Sequence, residues 1–272
     1  MEGREALEMG NILHHVLDEF YKEMAEKDRA DLSFWEDKAK IRVRFLEKLK
    51  QCVAKSPFKH QPLYRQRIYW DSMAEVLDLF VEQEAEFRRA RPLVPTHFEL
   101  SFGDKASSPL DYLKIPSPRG EVRIEGKIDR VDLMPGGKEA LVIDYKLSKR
   151  SEPLREKLAK GLELQLPIYI LAMKRLLGVE VIGAELRFLK DAGKEGIYRK
   201  DYKEALALNH GKGFYEKEEM EEMLQKAETV LLESVRRLRE GDIAIRSKSC
   251  EFCRFDSVCR FEKWKMVYAD ES

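Results

Sequence analysis

The sequence predicts an α/β protein in which a helical region precedes one mostly antiparallel sheet with a crossover helix. Three observations predict it. The first ninety residues carry apolar side chains at helical spacing. From about residue 96 the pattern changes to short β-branched and aliphatic runs separated by turns. One long apolar helix then falls between two strand-like runs, as a crossover requires.

The elements follow in order. Residues 5–28 show a helical stripe at Ile12, Leu13, Val16, Leu17 and Phe20. A second helix is expected over 33–55 and is broken by "SPFKHQP" at 56–62. A third covers 63–90, with Ile68, Met73, Val76, Leu77 and Phe80 on its apolar face, and "RPLVP" ends it. Strands are expected in "THFELSF", "VRIEGKIDRVDLM" and "EALVIDYKL", then a helix over 162–178, a strand in "VIGAELRFLK" and a charged helix over 216–240. These read as a single domain, with a helical region at about 11–92, a sheet core at about 94–200 and a helix with a cysteine-rich tail at about 216–264. No repeat or low-complexity linker divides them.

Composition narrows the function. The 272 residues contain 43% hydrophobic and 37% charged side chains, enough for a sizeable core. Fifty basic and fifty acidic residues balance to a net charge of +0, which argues against a uniformly basic nucleic-acid binder but leaves room for a local basic groove. No apolar run approaches the ~20 residues of a membrane span, and the first residues have no signal core. The expectation is a soluble cytoplasmic protein with no membrane partner. No G-x-x-x-x-G-K-[ST] motif is present, so no nucleotide-driven motor is expected in this chain.

The most informative stretch is "EGKIDRVDLMPGGKEALVIDYK", residues 125–146. "PGGK" is a strong turn signal between two apolar runs, so the stretch reads as a hairpin. A turn centred between Gly136 and Gly137 gives cross-strand partners whose numbers sum to 273, as Asp129 and Asp144 do. The two aspartates would face each other with Cβ atoms ~4.5–5.5 Å apart. Two carboxylates so close repel unless a positive group lies between them, and a divalent cation is the obvious one. The alternative is a pair of solvated acids on an open sheet face. Lys146 shares a face with Asp144, whereas Asp132 points the other way, as a structural or surface acid. Arg130 is left between an acid partner and DNA. For Glu99, in "HFELSF", the places open are beside the metal site and on the sheet rim, and the rim is the expected one.

In the tail, Cys250, Cys253 and Cys259 form C-x2-C-x5-C. Clustered thiolates select zinc or an iron–sulfur cluster, and spacing alone does not separate these. The fourth cysteine is Cys52.

"GKIDRVD", then "VIDYK", then "QLPIY", preceded far upstream by "GNILH", resemble in order the motifs of the RecB/AddB-type branch of the PD-(D/E)XK nuclease superfamily. The resemblance spans nearly the whole chain, except for the helices between about 20 and 95. It implies a restriction-endonuclease-like fold with a mixed, mostly antiparallel central sheet. It implies catalytic roles for Asp129, Asp144, Lys146, Gln165 and Tyr169. His14, Asp129, Asp144 and the backbone carbonyl of Tyr145 would bind Mg²⁺ or Mn²⁺, and Lys149 and Arg150 would contact phosphates. The bland alternative for Tyr169 is a core residue, and for Lys149 and Arg150 solvated loop charges. His15, His60, His97 and His210 match no motif.

The tail resembles the C-terminal cysteine triplet of iron–sulfur members of the family, which implies a [4Fe-4S] cluster, with Zn²⁺ as the alternative. The family's first cysteine lies just before the G-x-x-x-H helix, where this sequence has none. Either Cys52 replaces it or it belongs to an upstream part of a longer protein. The implied activity is metal-dependent hydrolysis of DNA, on single strands or ends, by an exonuclease rather than an endonuclease, with a helicase as partner. A CRISPR-adaptation-type nuclease and a non-catalytic DNA-binding scaffold are the alternatives.

Overall fold

The computed structural model describes residues 3–24, 29, 31–149, 152–191, 193–208, 213–242, 244 and 258–259. Its order is helix α1 (Gly3–Glu23), α2 (Leu32–Glu36), α3 (Lys38–Lys55), α4 (Leu63–Ala90), β1 (Val94–Phe102), β2 (Leu113–Ile115), β3 (Val122–Ile124), β4 (Gly126–Leu133), β5 (Glu139–Lys146), α5 (Leu154–Ala159), α6 (Gln165–Ala172), β6 (Glu180–Phe188), β7 (Lys194–Arg199), β8 (Phe214–Tyr215) and α7 (Lys217–Arg239). No helix among the described residues is long and apolar enough to cross a membrane.

The chain divides into two compact units, Met1–Thr229 and Val230–Ser272. The first holds every described strand. The second begins inside α7, where Arg236 hydrogen-bonds Glu233 at 2.6 Å one turn away. Of the tail cysteines, Cys250 and Cys253 lie outside the described residues, while Cys259 is exposed and free.

The expected sheet is present, with strand order β1-β4-β5-β6-β7-β8. β4 lies antiparallel between β1 and β5, while β5 and β6 run parallel across the α5–α6 crossover. β5 is buried on both faces, which its unbroken Ala-Leu-Val-Ile run requires. Its alternate side chains feed two cores. Leu141, Ile143 and Tyr145 meet α1, α3 and α4, while Ala140 and Val142 meet α6 and the start of α7. α1 earns its place by its spacing, since Met9, Ile12, Leu13, Val16, Leu17 and Phe20 are all buried.

The hairpin register is as read from the turn. Arg130 pairs with Ile143 and Leu133 with Ala140, so the numbers sum to 273. Met134–Gly137 is a type II turn, closed by Gly137 N–H donating to the Met134 carbonyl at 2.9 Å, with Pro135 second and Gly136 third at φ 103°.

Other expectations are corrected. The helix expected over 33–55 is two helices, because Asp37 caps a new start by accepting from the Lys40 N–H at 3.1 Å. "VRIEGKIDRVDLM" is two strands, β3 pairing only with β2 in a separate small sheet and β4 in the main one. The helix over 162–178 is interrupted, since α6 passes into a π-turn at Met173–Leu177 that ends at left-handed Gly178. Ile68 lies outside the buried stripe, at 60% exposure. Strands β2, β7 and β8 and helix α5 have no counterpart among the expected elements.

Gly126, at the head of β4, has a packing reason. A Cβ there would lie 2.6 Å from the ring of Phe102, which is buried. Gly126→Ala should therefore displace that ring at a cost of about 1–3 kcal/mol, and urea titration should show the midpoint falling with the slope unchanged.

Candidate active site

Four elements converge at one end of the β4–β5 pair. The middle of α1 brings His14, the middle of β1 brings Glu99, β4 brings Asp129, and the end of β5 brings Asp144 and Lys146. The first turns of α6 close the site with Gln165 and Tyr169.

Asp129 is the hub. Its Oδ2 accepts the Tyr145 N–H at 2.8 Å and lies 3.4 Å from His14 Nδ1. The paired ladder stops at Arg130 and Ile143, one step short of Asp129 and Asp144. The two aspartates therefore do not form the direct cross-strand pair expected, because the Asp129 side chain occupies the N–H of Tyr145. They still feel each other. Burial and then repulsion from Asp129 raise the Asp144 carboxyl to about 6, against the pull of Lys146 and His14.

Asp144 is almost fully buried. Gln165 Nε2 donates to its Oδ1 at 2.6 Å. Its Oδ2 lies 2.6 Å from Lys146 Nζ but out of hydrogen-bond alignment, so this buried atom has no hydrogen-bond donor among the described residues. Lys146 donates to Gln165 Oε1 at 3.1 Å. The carboxamide of Gln165 thus spans acid and lysine and fixes their spacing. Tyr169 Oη accepts from Gln165 Nε2 at 2.9 Å and donates to the Lys127 carbonyl at 2.7 Å, tying α6 to β4. The ring of Tyr169 packs in the core. Burial pushes its phenol well above the ordinary value.

Glu99 belongs to the site, not to the rim. One oxygen of Glu99, a ring nitrogen of His14 and one oxygen of Asp129 lie within 4.8 Å of one another. The β1–β4 register pairs Phe98 with Arg130 and Leu100 with Ile128, which puts Glu99 opposite Asp129 at a left-handed φ of 48°. A non-glycine residue there marks local strain of the kind found at functional sites. Lys127 makes an ion pair with Glu99. Only the β1 register, set by a bulge between Pro95 and His97, reveals this neighbour. Burial lowers the His14 pKa, but the hydrogen bond and charge of Asp129, with Asp144 and Glu99 behind it, outweigh burial and raise it.

These donors fit a hard divalent cation. Carboxylate oxygens with one imidazole suit Mg²⁺ or Mn²⁺. The repulsion between Asp129 and Asp144, which Lys146 and His14 offset only in part, is what a cation between the acids would relieve.

The remaining site candidates fare differently. Lys149 is paired with Glu195 at 2.7 Å, and Arg150 lies outside the described residues. His15 is exposed and holds no part of the cluster. Cys52 is buried in the helical core, and burial pushes its thiol up, toward the protonated form of a small apolar side chain. Arg130 pairs with acids. It lies with Asp132 on the covered side of the sheet, and its five N–H groups have five contacts: Asp132 at 2.6 and 2.7 Å, Glu84 at 2.7 Å, Tyr21 at 2.6 Å and Tyr145 at 3.1 Å. Tyr145 is thus held by Arg130 through its hydroxyl and by Asp129 through its N–H.

The profile of the PD-(D/E)XK nuclease superfamily matches residues 2–260. The chain is also similar to a subunit of the ATP-dependent helicase/deoxyribonuclease of Thermoanaerobacter sp. (strain X514), 23% identical over 94% of this chain and 27% of that protein. The same subunit of Lactobacillus delbrueckii subsp. bulgaricus is 30% identical over 61% of this chain and 14% of its own length, and that of Clostridium perfringens 29% identical over 62% and 14%. The chain thus spans about a quarter or less of these relatives. With motif order, sheet topology and a profile match over nearly the whole length in agreement, the chain belongs to the PD-(D/E)XK nuclease superfamily.

Proposed function

We propose that this chain is a metal-dependent deoxyribonuclease that hydrolyses phosphodiester bonds in single-stranded DNA or at DNA ends, exonucleolytically, as the nuclease part of a cytoplasmic helicase–nuclease. The observation that carries the reading is the convergence of His14, Glu99, Asp129 and Asp144 beside Lys146. The names of the relatives, which pair a helicase with a deoxyribonuclease, support DNA as the substrate and a helicase as the partner.

His14, Asp129, Asp144 and the Tyr145 carbonyl, with Glu99 beside them, would hold Mg²⁺ or Mn²⁺. A cation there would polarise the scissile phosphate and lower the pKa of the attacking water. Lys146 keeps its ammonium at Asp144, where it would orient that water and stabilise charge on the phosphate. Gln165 holds Lys146 and Asp144 at their spacing. Tyr169 anchors Gln165 and would border the DNA strand. Lys149, once released from Glu195, and Arg150 would meet phosphates beyond the scissile one.

The test is degradation of end-labelled single- and double-stranded oligonucleotides with Mg²⁺ or Mn²⁺. The reading predicts progressive shortening of the single strand that chelation stops. Intact DNA under all these conditions would count for a scaffold that keeps the fold.

The tail carries a separate proposal, that Cys250, Cys253 and Cys259 hold a [4Fe-4S] cluster or Zn²⁺. Its support is their spacing. Cys253→Ser should then lower Tm and abolish anaerobic absorbance at about 400 nm, or the bound zinc. Cys52→Ser should reproduce this only if Cys52 is the fourth ligand. Unchanged metal content and stability in Cys253→Ser would overturn the proposal.

A further inference from the structure

A second group of basic residues lies away from the nuclease motifs. The end of α4, the end of β6 and the start of β7 enclose a pocket of about 250 Å³, lined by Gln83, Phe87, Arg91, Arg187 and Lys194 among others. Tyr145, which pairs with Arg187 across β5 and β6, points into the helix-covered core. Asp144 and Lys146 alternate with it along β5 and face the other way. The pocket is therefore on the sheet face opposite the candidate active site.

Its wall is rich in donors and short of acceptors. Arg91 and Arg187 both stack on Phe87, with guanidinium carbons 4.1 and 3.7 Å from the ring centre, which fixes their planes. Arg91 Nη1 reaches Glu185 at 3.3 Å, and Arg187 Nε reaches Glu185 at 2.6 Å. Arg187 Nη1 reaches Glu84 at 2.9 Å. Those two carboxylates are then occupied, Glu185 also by Tyr198 at 2.9 Å and Glu84 by Arg130 at 2.7 Å. Nη2 of Arg91, Nη2 of Arg187 and Nε2 of Gln83 are buried with no acceptor among the described residues.

Charge points the same way. The buried acids Glu84, Asp132 and Glu185 face five basic residues, Arg88, Arg91, Arg130, Arg187 and Lys194. Glu86, on the same wall, is exposed and is not among the charges that act on Lys194. Desolvation, joined by repulsion from Arg91 and Arg187 and offset in part by Glu185, brings the Lys194 ammonium down to about 8. Ala207, also on the wall, is held at a left-handed φ of 48°. The carbonyl end of α4 disfavours an anion only weakly beside the charges of Arg91, Arg187 and Lys194.

We propose that this pocket binds a phosphate group. Convergent N–H donors with an excess of positive charge call for a ligand that only accepts and carries more than one negative charge, and a tetrahedral phosphate meets both needs. Because the pocket lies on the other face of the sheet, the phosphate is not the scissile one. It belongs to a free phosphate compound or to a DNA strand wrapping around the domain edge.

The experiment is a thermal-shift titration of the full chain with inorganic phosphate in the presence of chelator, against chloride at matched ionic strength. Phosphate should raise Tm saturably and chloride should not. Lys194→Gln, at a residue that is exposed overall although its ammonium is desolvated against the wall, should keep the fold by circular dichroism and raise the half-saturating phosphate concentration about tenfold. Asp144→Asn should leave the phosphate response intact, which separates this site from the nuclease reading. A phosphate effect no greater than that of chloride, or one unchanged in Lys194→Gln, would overturn the proposal. A second arm identifies the source by anisotropy of a short oligonucleotide. If Lys194→Gln weakens DNA binding and phosphate competes with it, the group comes from DNA. If DNA binding ignores both, it is a free phosphate compound.

Discussion

Lys146→Ala should slow single-turnover cleavage of DNA by about 10²–10⁴-fold, the range for one positioned acid–base group or charge stabiliser, while leaving metal affinity unchanged or tighter. The two halves of this result have one cause. Lys146 lies 2.6 Å from Asp144 and competes with a cation for that carboxylate. Removing it weakens nothing that binds metal, but it takes away the ammonium that the structure places beside Asp144. The assay belongs at about pH 8, well above the Asp144 pKa of about 6, so that losing Lys146 does not leave Asp144 protonated. Gln165→Ala should give a smaller loss in rate, because it frees Asp144 and Lys146 from their shared carboxamide without removing either. Full activity in Lys146→Ala would remove the lysine from the mechanism.

Arg130→Met should destabilise the fold by about 3–5 kcal/mol, as expected when one partner of a buried ion pair is removed. Arg130 is fully buried, and its loss leaves Asp132 and Glu84, both fully buried, without their main cation. Urea unfolding monitored by circular dichroism measures it. Replacing Glu84 and Asp132 with apolar residues in the same chain should restore much of the loss, which a simple cavity would not. The network also sets the response to acid. Burial alone would raise the Glu84 carboxyl, but Arg130, Arg187 and Arg88 outweigh it and bring the pKa down from 4.5 to about 2. A depressed folded-state pKa contributes stability that is complete above the unfolded value and lost as pH falls through the folded one. Stability should therefore decline from about pH 4.5 toward pH 2. Arg130→Met should move that decline to higher pH. A fold indifferent to acid in this window would contradict the role given to Glu84.

Local signals in the sequence carried much of the site. The Pro-Gly-Gly turn fixed a register, and that register placed Asp129 and Asp144 near each other and Lys146 beside Asp144. What it did not carry was the end of the ladder. Only the fold shows that the Asp129 side chain takes the Tyr145 N–H and so opens the pair. Glu99 was obscured because its neighbour is set by β1 pairing and a bulge, neither of which has a local signature. The charge network under the sheet was hidden for a different reason. Glu84, Arg130 and the Glu185–Arg187 pair are far apart in sequence, and each alone reads as a surface charge. β7, "KEGIYR", is short and holds a glycine, which weakened its strand pattern. The break at Asp37 was readable in principle, because an Asp directly before a lysine-rich helix start is a capping signal.

Mn²⁺ binding measured by calorimetry tests the central claim most directly, because it asks whether His14, Asp129 and Asp144 form one cation site whatever the substrate turns out to be. The account predicts a single site in the wild-type chain. His14→Ala, Asp129→Asn and Asp144→Asn should each weaken it about tenfold or more, while Lys146→Ala should not. Binding should also fade as pH drops below about 6, where Asp144 takes up a proton. Mn²⁺ binding that is absent from the wild type, or that survives unchanged in Asp129→Asn and Asp144→Asn, would contradict the account.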